Sequence, residues 1–169
     1  MAISTSTAAI AAETPRIRPA TPADRVALEE QAQLLNLYEE SFAADRRLDR
    51  EGGREAVDDL YARIDETGGH LLVAEVNGAV VGHMALWFDR MPPFAREELR
   101  DYGYIGDLFV RAAHRGRGIG AALVGEAERL ARARGVRRIL LGVLAGNPAE
   151  AAYLKLGYRH YALEMIKEL

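Results

Sequence analysis

Arg115-Gly116-Arg117-Gly118-Ile119-Gly120 is the stretch of this sequence best suited to chemistry. It follows a strand candidate from Tyr104 to Val110 and opens a helix candidate that runs to about Arg134. Glycines lack the Cβ atoms that would keep a ligand away from the backbone. The first N–H groups of a helix have no intrahelical partner, and the helix dipole is positive at that end. A glycine-rich turn entering a helix therefore suits phosphate oxygens. Arg115 and Arg117 add positive charge at the same place. The plainer alternative is a flexible turn between two elements.

Gly116-x-Gly118-x-x-Ala121 also satisfies the loose dinucleotide pattern G-x-G-x-x-G/A. Its context is wrong. Arg111 to Arg115 separate the glycines from the strand, and the acid expected about 20 residues on is missing from Val136-Arg137-Arg138-Ile139-Leu140. No Gly-Lys-Ser/Thr follows, which excludes a Walker P-loop. Arg115-x-x-Gly118-x-Gly120 instead resembles the R/Q-x-x-G-x-G/A signature of the GNAT acyl-CoA N-acetyltransferases. Asp107-Leu108-Phe109-Val110 resembles that family's D-L-x-V strand, and the segment from Asn147 to Tyr158 resembles its later Asn…Tyr-x-x-x-Gly-aromatic segment. The resemblance covers roughly Thr14 to Leu169 and is strongest from Tyr104 to Tyr158.

The resemblance implies an α/β fold. Its central sheet is mixed, mostly antiparallel and flanked by helices, and it splays between the strands ending near Val110 and Leu144. Acetyl-CoA is the implied cofactor, its pantetheine arm lying in the splay. The backbone of Arg115, Gly116, Arg117, Gly118, Ile119, Gly120 and Ala121 would clamp the diphosphate. A backbone N–H among Leu108, Phe109 and Val110, freed by a bulge, would stabilise the thioester oxygen. Tyr153, four residues before Gly157, would protonate the leaving thiolate, since a phenol keeps its proton at neutral pH. The glutamate that some relatives use as a base would fall near Gly106 or Tyr104. Asp107 is the nearest carboxylate, although strand alternation points it away from the Gly106 and Leu108 face. A water chain from Tyr104 or Glu75 is the alternative base. Asn147 stands six residues before Tyr153, one fewer than in the family. It either contacts the cofactor or caps a helix. The implied reaction is direct attack by a primary amine on acetyl-CoA in a ternary complex. The rival reading is a non-catalytic acyl-CoA-binding or sensor module.

Bulk properties agree with one domain over residues 14–169 behind a flexible tail of residues 1–13. A net charge of −3 argues against general nucleic-acid binding. The absence of cysteine excludes disulfides, thiolate metal sites and a thiol relay. His70, His83, His114 and His160 show no metal-ligand spacing. No apolar run reaches the roughly 18 residues of a membrane span. The tail lacks the charge pattern of a signal peptide, so cytoplasm is the default location. The expected partner is a small-molecule or peptide amine, and a homodimer is left open.

The elements that must position these residues follow from periodicity. Arg16-Ile17-Arg18 is a short strand, and Thr21-Pro22 starts a helix that buries Leu34, Leu35, Tyr38 and Phe42. Gly52-Gly53 is expected to break the chain before a second helix carrying Ala56, Val57, Leu60, Tyr61 and Ile64. His70 to Val76, Asn77-Gly78 and Ala79 to about Phe88 form a hairpin. Asp89 to Arg100 is a loop. The third long helix buries Ile119, Ala122, Leu123, Ala127, Leu130 and Ala131 and stops at Gly135. Arg132, Arg134, Arg137 and Arg138 crowd that end and suit solvation and the helix dipole better than nucleic acid. Ile139 to Leu144 reads as a buried strand, Asn147 to Leu156 as a capped helix, and Tyr158 to Leu169 as a last strand. The resemblance to the GNAT family implies that the first two helices and the Asp89–Arg100 loop wall the acceptor site. Their Glu29, Glu30, Glu39, Glu40, Asp45, Asp58 and Asp59 could attract a cation, and Tyr38, Phe42, Trp87 and Phe88 could line a pocket.

Overall fold

The computed structural model describes residues 14–169, so the expected tail lies outside the described residues. Strand β1 spans Arg16–Pro19. Asp24 then accepts hydrogen bonds from the Thr21 N–H at 2.7 Å and the Thr21 hydroxyl at 2.8 Å, fixing a 3-10 turn over Pro22–Asp24. Helix α1 follows as Arg25–Ala43 and α2 as Arg50–Thr67. The hairpin of β2, His70–Val76, and β3, Ala79–Arg90, turns on Asn77 and Gly78, both with positive φ, as a two-residue turn matching strand twist requires. Strand β4 is Asp101–Val110, α3 is Ile119–Ala133, β5 is Ile139–Leu141 and α4 is Ala149–Lys155.

The five strands lie in the order β1-β2-β3-β4-β5, antiparallel except for the parallel β4–β5 pair. Side-chain alternation gives the sheet two apolar faces. Leu72, Met84, Leu86 and Ile105 pack with Ile119, Leu123, Val124 and Ala127 of α3. Leu71, Val73 and Ala85 on the other face pack with Leu28, Ala32, Val57 and Leu60 of α1 and α2. Each such leucine or isoleucine contributes roughly 1.5–3 kcal/mol by leaving water.

Four expectations need correction. Gly52 and Gly53 do not break the chain; they lie in the first turn of α2, where the Asp49 carboxylate caps the Gly52 N–H at 2.6 Å. A Cβ on Gly53 would stand 2.7 Å from the Glu29 carbonyl oxygen, so this glycine lets the two helices touch. The actual break is the left-handed Ala44. The buried stripe of α1 is Leu28, Gln31 and Ala32, while Leu34 is exposed, because the face turned to the sheet is the one whose Leu28 and Ala32 pack with Leu71, Val73 and Ala85. Strand β5 ends at Leu141 rather than Leu144, and residues 158–169 form no strand. β5 thus presents an edge of only three residues, at the short end of strand lengths.

The arginines after α3 act as staples. Arg134 donates to the Gly68 and Thr67 carbonyls at 2.9 and 3.1 Å, closing the C-terminus of α2, and lies 4.2 Å over the Phe88 ring. Arg132 pairs with Glu128, and Arg138 donates to the Leu99 carbonyl.

Candidate active site

β4 and β5 pair only at Gly103–Ile139, Tyr104–Leu140 and Ile105–Leu141, after which β4 continues with β3 on one side and no strand on the other. Between Ile105 and Leu108, β4 also holds one residue more than the facing stretch of β3 from Leu86 to Met84. This bulge shifts the phase of the strand. Arg111 donates its N–H to the Val81 carbonyl at 2.8 Å. By two-residue alternation the backbone of Phe109 therefore faces β3, and that of Leu108 and Val110 faces the side β5 has left. The Val110 carbonyl there accepts from Arg115 Nε at 2.9 Å.

The glycine turn lies beyond this open edge. Gly116 and Gly118 have φ of +73° and +80°, values that side-chain-bearing residues avoid. Gly118 is the N-cap of α3 and caps it with no side chain. Among the described residues, no acceptor takes the backbone N–H groups from Gly116 to Ala121. A Cβ on Gly116 or Gly118 would enter open space, and one on Gly120 would meet only Leu108 Cδ2, at 3.8 Å. The turn is thus an unobstructed row of donors at a helix N-terminus, which fits the diphosphate of acetyl-CoA. Arg117 is exposed and adds to it. The Arg115 side chain does not: it folds back over the Tyr38 ring at 4.9 Å and the Phe109 ring at 5.9 Å, tying the turn to α1 and β4.

Asp107 is turned differently from expectation. At a bulge two successive side chains leave on the same side, so Asp107 shares the α1–α2 face with Gly106. The Trp87 ring covers Gly106 so closely that a Cβ there would stand 1.9 Å from Trp87 Cη2. No glutamate can occupy this position while Trp87 stays, stacked on Tyr104 at 5.1 Å and under Arg63 at 4.9 Å. Asp107 points toward His83, with Oδ2 4.0 Å from Nε2, and its side chain keeps 27 % exposure. His83 itself is 1 % exposed and stacks on Phe109 at 6.0 Å. Its Nδ1 is 2.9 Å from Oε1 of the fully buried Gln31, whose Nε2 donates to the Val80 carbonyl at 2.9 Å. Sequence reasoning gave His83 and Gln31 no role. The one available signal was a lone imidazole in the apolar run from Val80 to Leu86, two residues from Ala85 on the same face.

Tyr153 packs against the α3-side core, as do Leu108 and Val110, and meets the Tyr158 ring edge-on at 5.9 Å. Burial pushes its phenol above the ordinary value, and the Glu39 carboxylate pushes it further. Burial is also the main cause that pushes Tyr158 up to about 12. Asn147 is buried and its Oδ1 accepts from the Ala149 N–H at 3.0 Å, so this side chain caps α4. Glu75 is paired with Arg18 at 2.8 Å on β2, two strands from the open edge. Several acids of α1, α2 and the segment between them are likewise engaged: Glu30 with Arg111, Glu39 and Asp45 with Arg46, and Asp58 with Arg25. Phe88 packs with the α3-side core and Trp87 with the α1–α2 side, yet both line one open cleft with Arg63, Glu66, Tyr102 and Arg134 at the far end of β3 from His83.

The comparisons with known proteins converge on one family. The model of the "Acetyltransferase (GNAT) family" matches residues 31–158, more than half of the chain. An uncharacterised N-acetyltransferase of Methanocaldococcus jannaschii is 38% identical over 98 residues, which are 56% of this chain and 40% of that protein. The matched part thus spans less than half of that relative's length. A Pyrococcus furiosus structure described as an acetyltransferase is 27% identical, with a TM-score of 0.69 over 92% of this chain and 100% of its own. A transcriptional regulator from Bacillus halodurans, 24% identical, superposes with a TM-score of 0.71 over 91% of this chain and 100% of its own, and shows the fold alone.

Proposed function

The chain belongs to the GNAT acetyltransferase family, and we propose that it transfers an acetyl group from acetyl-CoA to a primary amine by direct attack in a ternary complex. The observation that carries this reading is the uncapped start of α3 beside the unpaired edge of β4. The N–H groups of Gly116 to Ala121 would hold the diphosphate, and Arg117 would add charge. Leu108, whose backbone faces the open edge, would donate its N–H to the thioester oxygen. Acetyl-CoA supplies the activated acyl carbon when bound. Asp107 takes a proton from the incoming ammonium. Tyr153, kept neutral by burial, gives its proton to the departing sulfur. Glu30, Glu39 and Asp58 are held in ion pairs, whereas Asp107 is a partly exposed carboxylate on the strand that carries the open edge, so it would recognise the amine. Titration calorimetry with acetyl-CoA, followed by thiol release against a panel of primary amines, tests the proposal. Saturable binding and amine-dependent release are expected. No binding at millimolar acetyl-CoA would remove it.

A second reading is an acyl-CoA-binding module without turnover. Trp87 over Gly106, where some relatives keep a base, favours it. Tight acetyl-CoA binding with no thiol release from any amine would select this reading.

A further inference from the structure

We propose that His83 is a proton-holding and positioning residue behind Asp107, and that Gln31 sets its tautomer. The inference rests on the acetyltransferase reading above for its substrate, a primary ammonium, and on the buried geometry for everything else. The Val80 carbonyl can only accept, so Gln31 must turn its Nε2 toward it and its Oε1 toward His83. An amide oxygen can only accept as well, so His83 Nδ1 carries the hydrogen of their 2.9 Å bond. The neutral ring then presents a bare lone pair at Nε2. That atom is buried and has no hydrogen-bond partner among the described residues, and the group it faces is the Asp107 carboxylate at 4.0 Å. Two acceptors face each other across a gap about 1 Å longer than a hydrogen bond. A proton on Nε2 turns this pair of facing acceptors into a donor and an acceptor, and a partly exposed carboxylate can turn to close the gap.

The step balances. One proton leaves the ammonium nitrogen for Asp107 Oδ2, freeing the lone pair that attacks the acyl carbon. The same proton passes to His83 Nε2, so Asp107 becomes a carboxylate again and faces an imidazolium whose Nδ1–H is already held by Gln31. The nitrogen loses a second proton as the amide forms, and this replaces the proton Tyr153 gave to sulfur. The first returns to water through Asp107 when product leaves. His83 never touches the substrate. The other charged groups around it are the Arg111–Glu30 pair, whose Arg111 Nε shares the Val80 carbonyl at 3.4 Å, and Arg115, which lies over the Phe109 ring stacked on His83.

His83→Asn keeps a donor toward Gln31 and removes the basic nitrogen. At neutral pH it should lower kcat about 10²-fold and leave the acetyl-CoA Kd unchanged. The deficit should shrink as pH rises, because the amine then arrives already deprotonated. A purely structural His83 would give a deficit independent of pH. Imidazole ¹⁵N spectra of wild type and Asp107→Asn read the same pair without substrate or cofactor. The Nε2 resonance of His83 should move between the two proteins, while Nδ1 keeps its attached hydrogen. An unmoved Nε2 resonance overturns the proposal, whether or not any amine is acetylated and whether or not His83→Asn folds. A moved resonance with no thiol release from any amine would instead refute the acetyltransferase reading and leave the buried pair standing.

Discussion

Tyr153 and Gly106 carry the sharpest expectations for single residues. Burial and the Glu39 carboxylate both oppose ionisation of the Tyr153 phenol, so it holds its proton through the neutral range. Tyr153→Phe removes that proton and keeps the ring that meets Tyr158. Turnover should fall roughly 10²–10⁴-fold, the range for losing a general acid. The melting temperature and the acetyl-CoA Kd should stay near wild type. Calorimetry and thiol-release kinetics on the same preparations check this, and a stable variant with normal turnover would return Tyr153 to the core. At Gly106 the expected effect is on packing. The Cβ of Gly106→Ala would overlap the Trp87 ring, which would have to leave its stack on Tyr104. A loss of about 1–3 kcal/mol in urea unfolding is expected, together with a change in tryptophan fluorescence. Trp87 is the only tryptophan of the chain, which makes the signal unambiguous.

At the scale of elements, glycines that look alike in the sequence play opposite parts. Gly53 and Gly125 both lie inside helices, where replacing glycine by alanine ordinarily adds about 1 kcal/mol of stability. Gly125 has nothing within 4 Å of its added Cβ, so Gly125→Ala should show that gain. Gly53→Ala should lose about 1–3 kcal/mol instead, because its Cβ would stand 2.7 Å from the Glu29 carbonyl of α1. Paired urea melts decide between these signs. At the start of α3, Gly118→Ala tests the left-handed backbone alone and should cost about 1 kcal/mol with acetyl-CoA binding largely kept. Gly118→Glu adds a negative charge to the anion site and should abolish binding in a protein of similar stability. The Asn77-Gly78 hairpin and the glycine turn before α3 were legible in the sequence, because each depends on neighbouring residues only. A bulge near Leu108 to Val110 was implied by the family resemblance, but its place at Gly106-Asp107 was not legible, since it exists only as a register difference between β3 and β4. The contact of Gln31 with His83 was equally hidden: it joins positions 52 residues apart and needs the packing of α1 on the sheet. The same holds for Gly53, which reads as a breaker until Glu29 is placed beside it.

The whole molecule is held at its first edge by a charge cluster, and that cluster sets how it should respond to acid. Arg18 of β1 donates to both Asp24 oxygens, at 2.7 and 2.9 Å, and to Glu75 of β2 at 2.8 Å. It thereby joins the edge strand, the turn that starts α1 and the neighbouring strand. Asp24 also accepts from the Thr21 N–H and hydroxyl. Its carboxyl is consequently held well below the usual carboxylate range, first by Arg18 and then by Thr21, against the opposing effect of burial. The native state therefore binds a proton at Asp24 less readily than the unfolded chain does. Stability from this group is complete above the unfolded value of about 4. It is lost as pH falls from there toward the lower native value. Asp24→Asn removes the charge and should cost about 2 kcal/mol at pH 7, in line with loss of hydrogen bonds to a charged group. Between pH 7 and pH 3 the wild-type melting temperature should fall more steeply than that of the variant, so the two curves converge in acid. Differential scanning calorimetry across that range reads the convergence directly. Parallel curves would mean that the tie among β1, the turn and β2 does not depend on the Asp24 charge. Since β1 lies at the opposite edge of the sheet from the splay between β4 and β5, acetyl-CoA binding at pH 7 should be the same in both proteins.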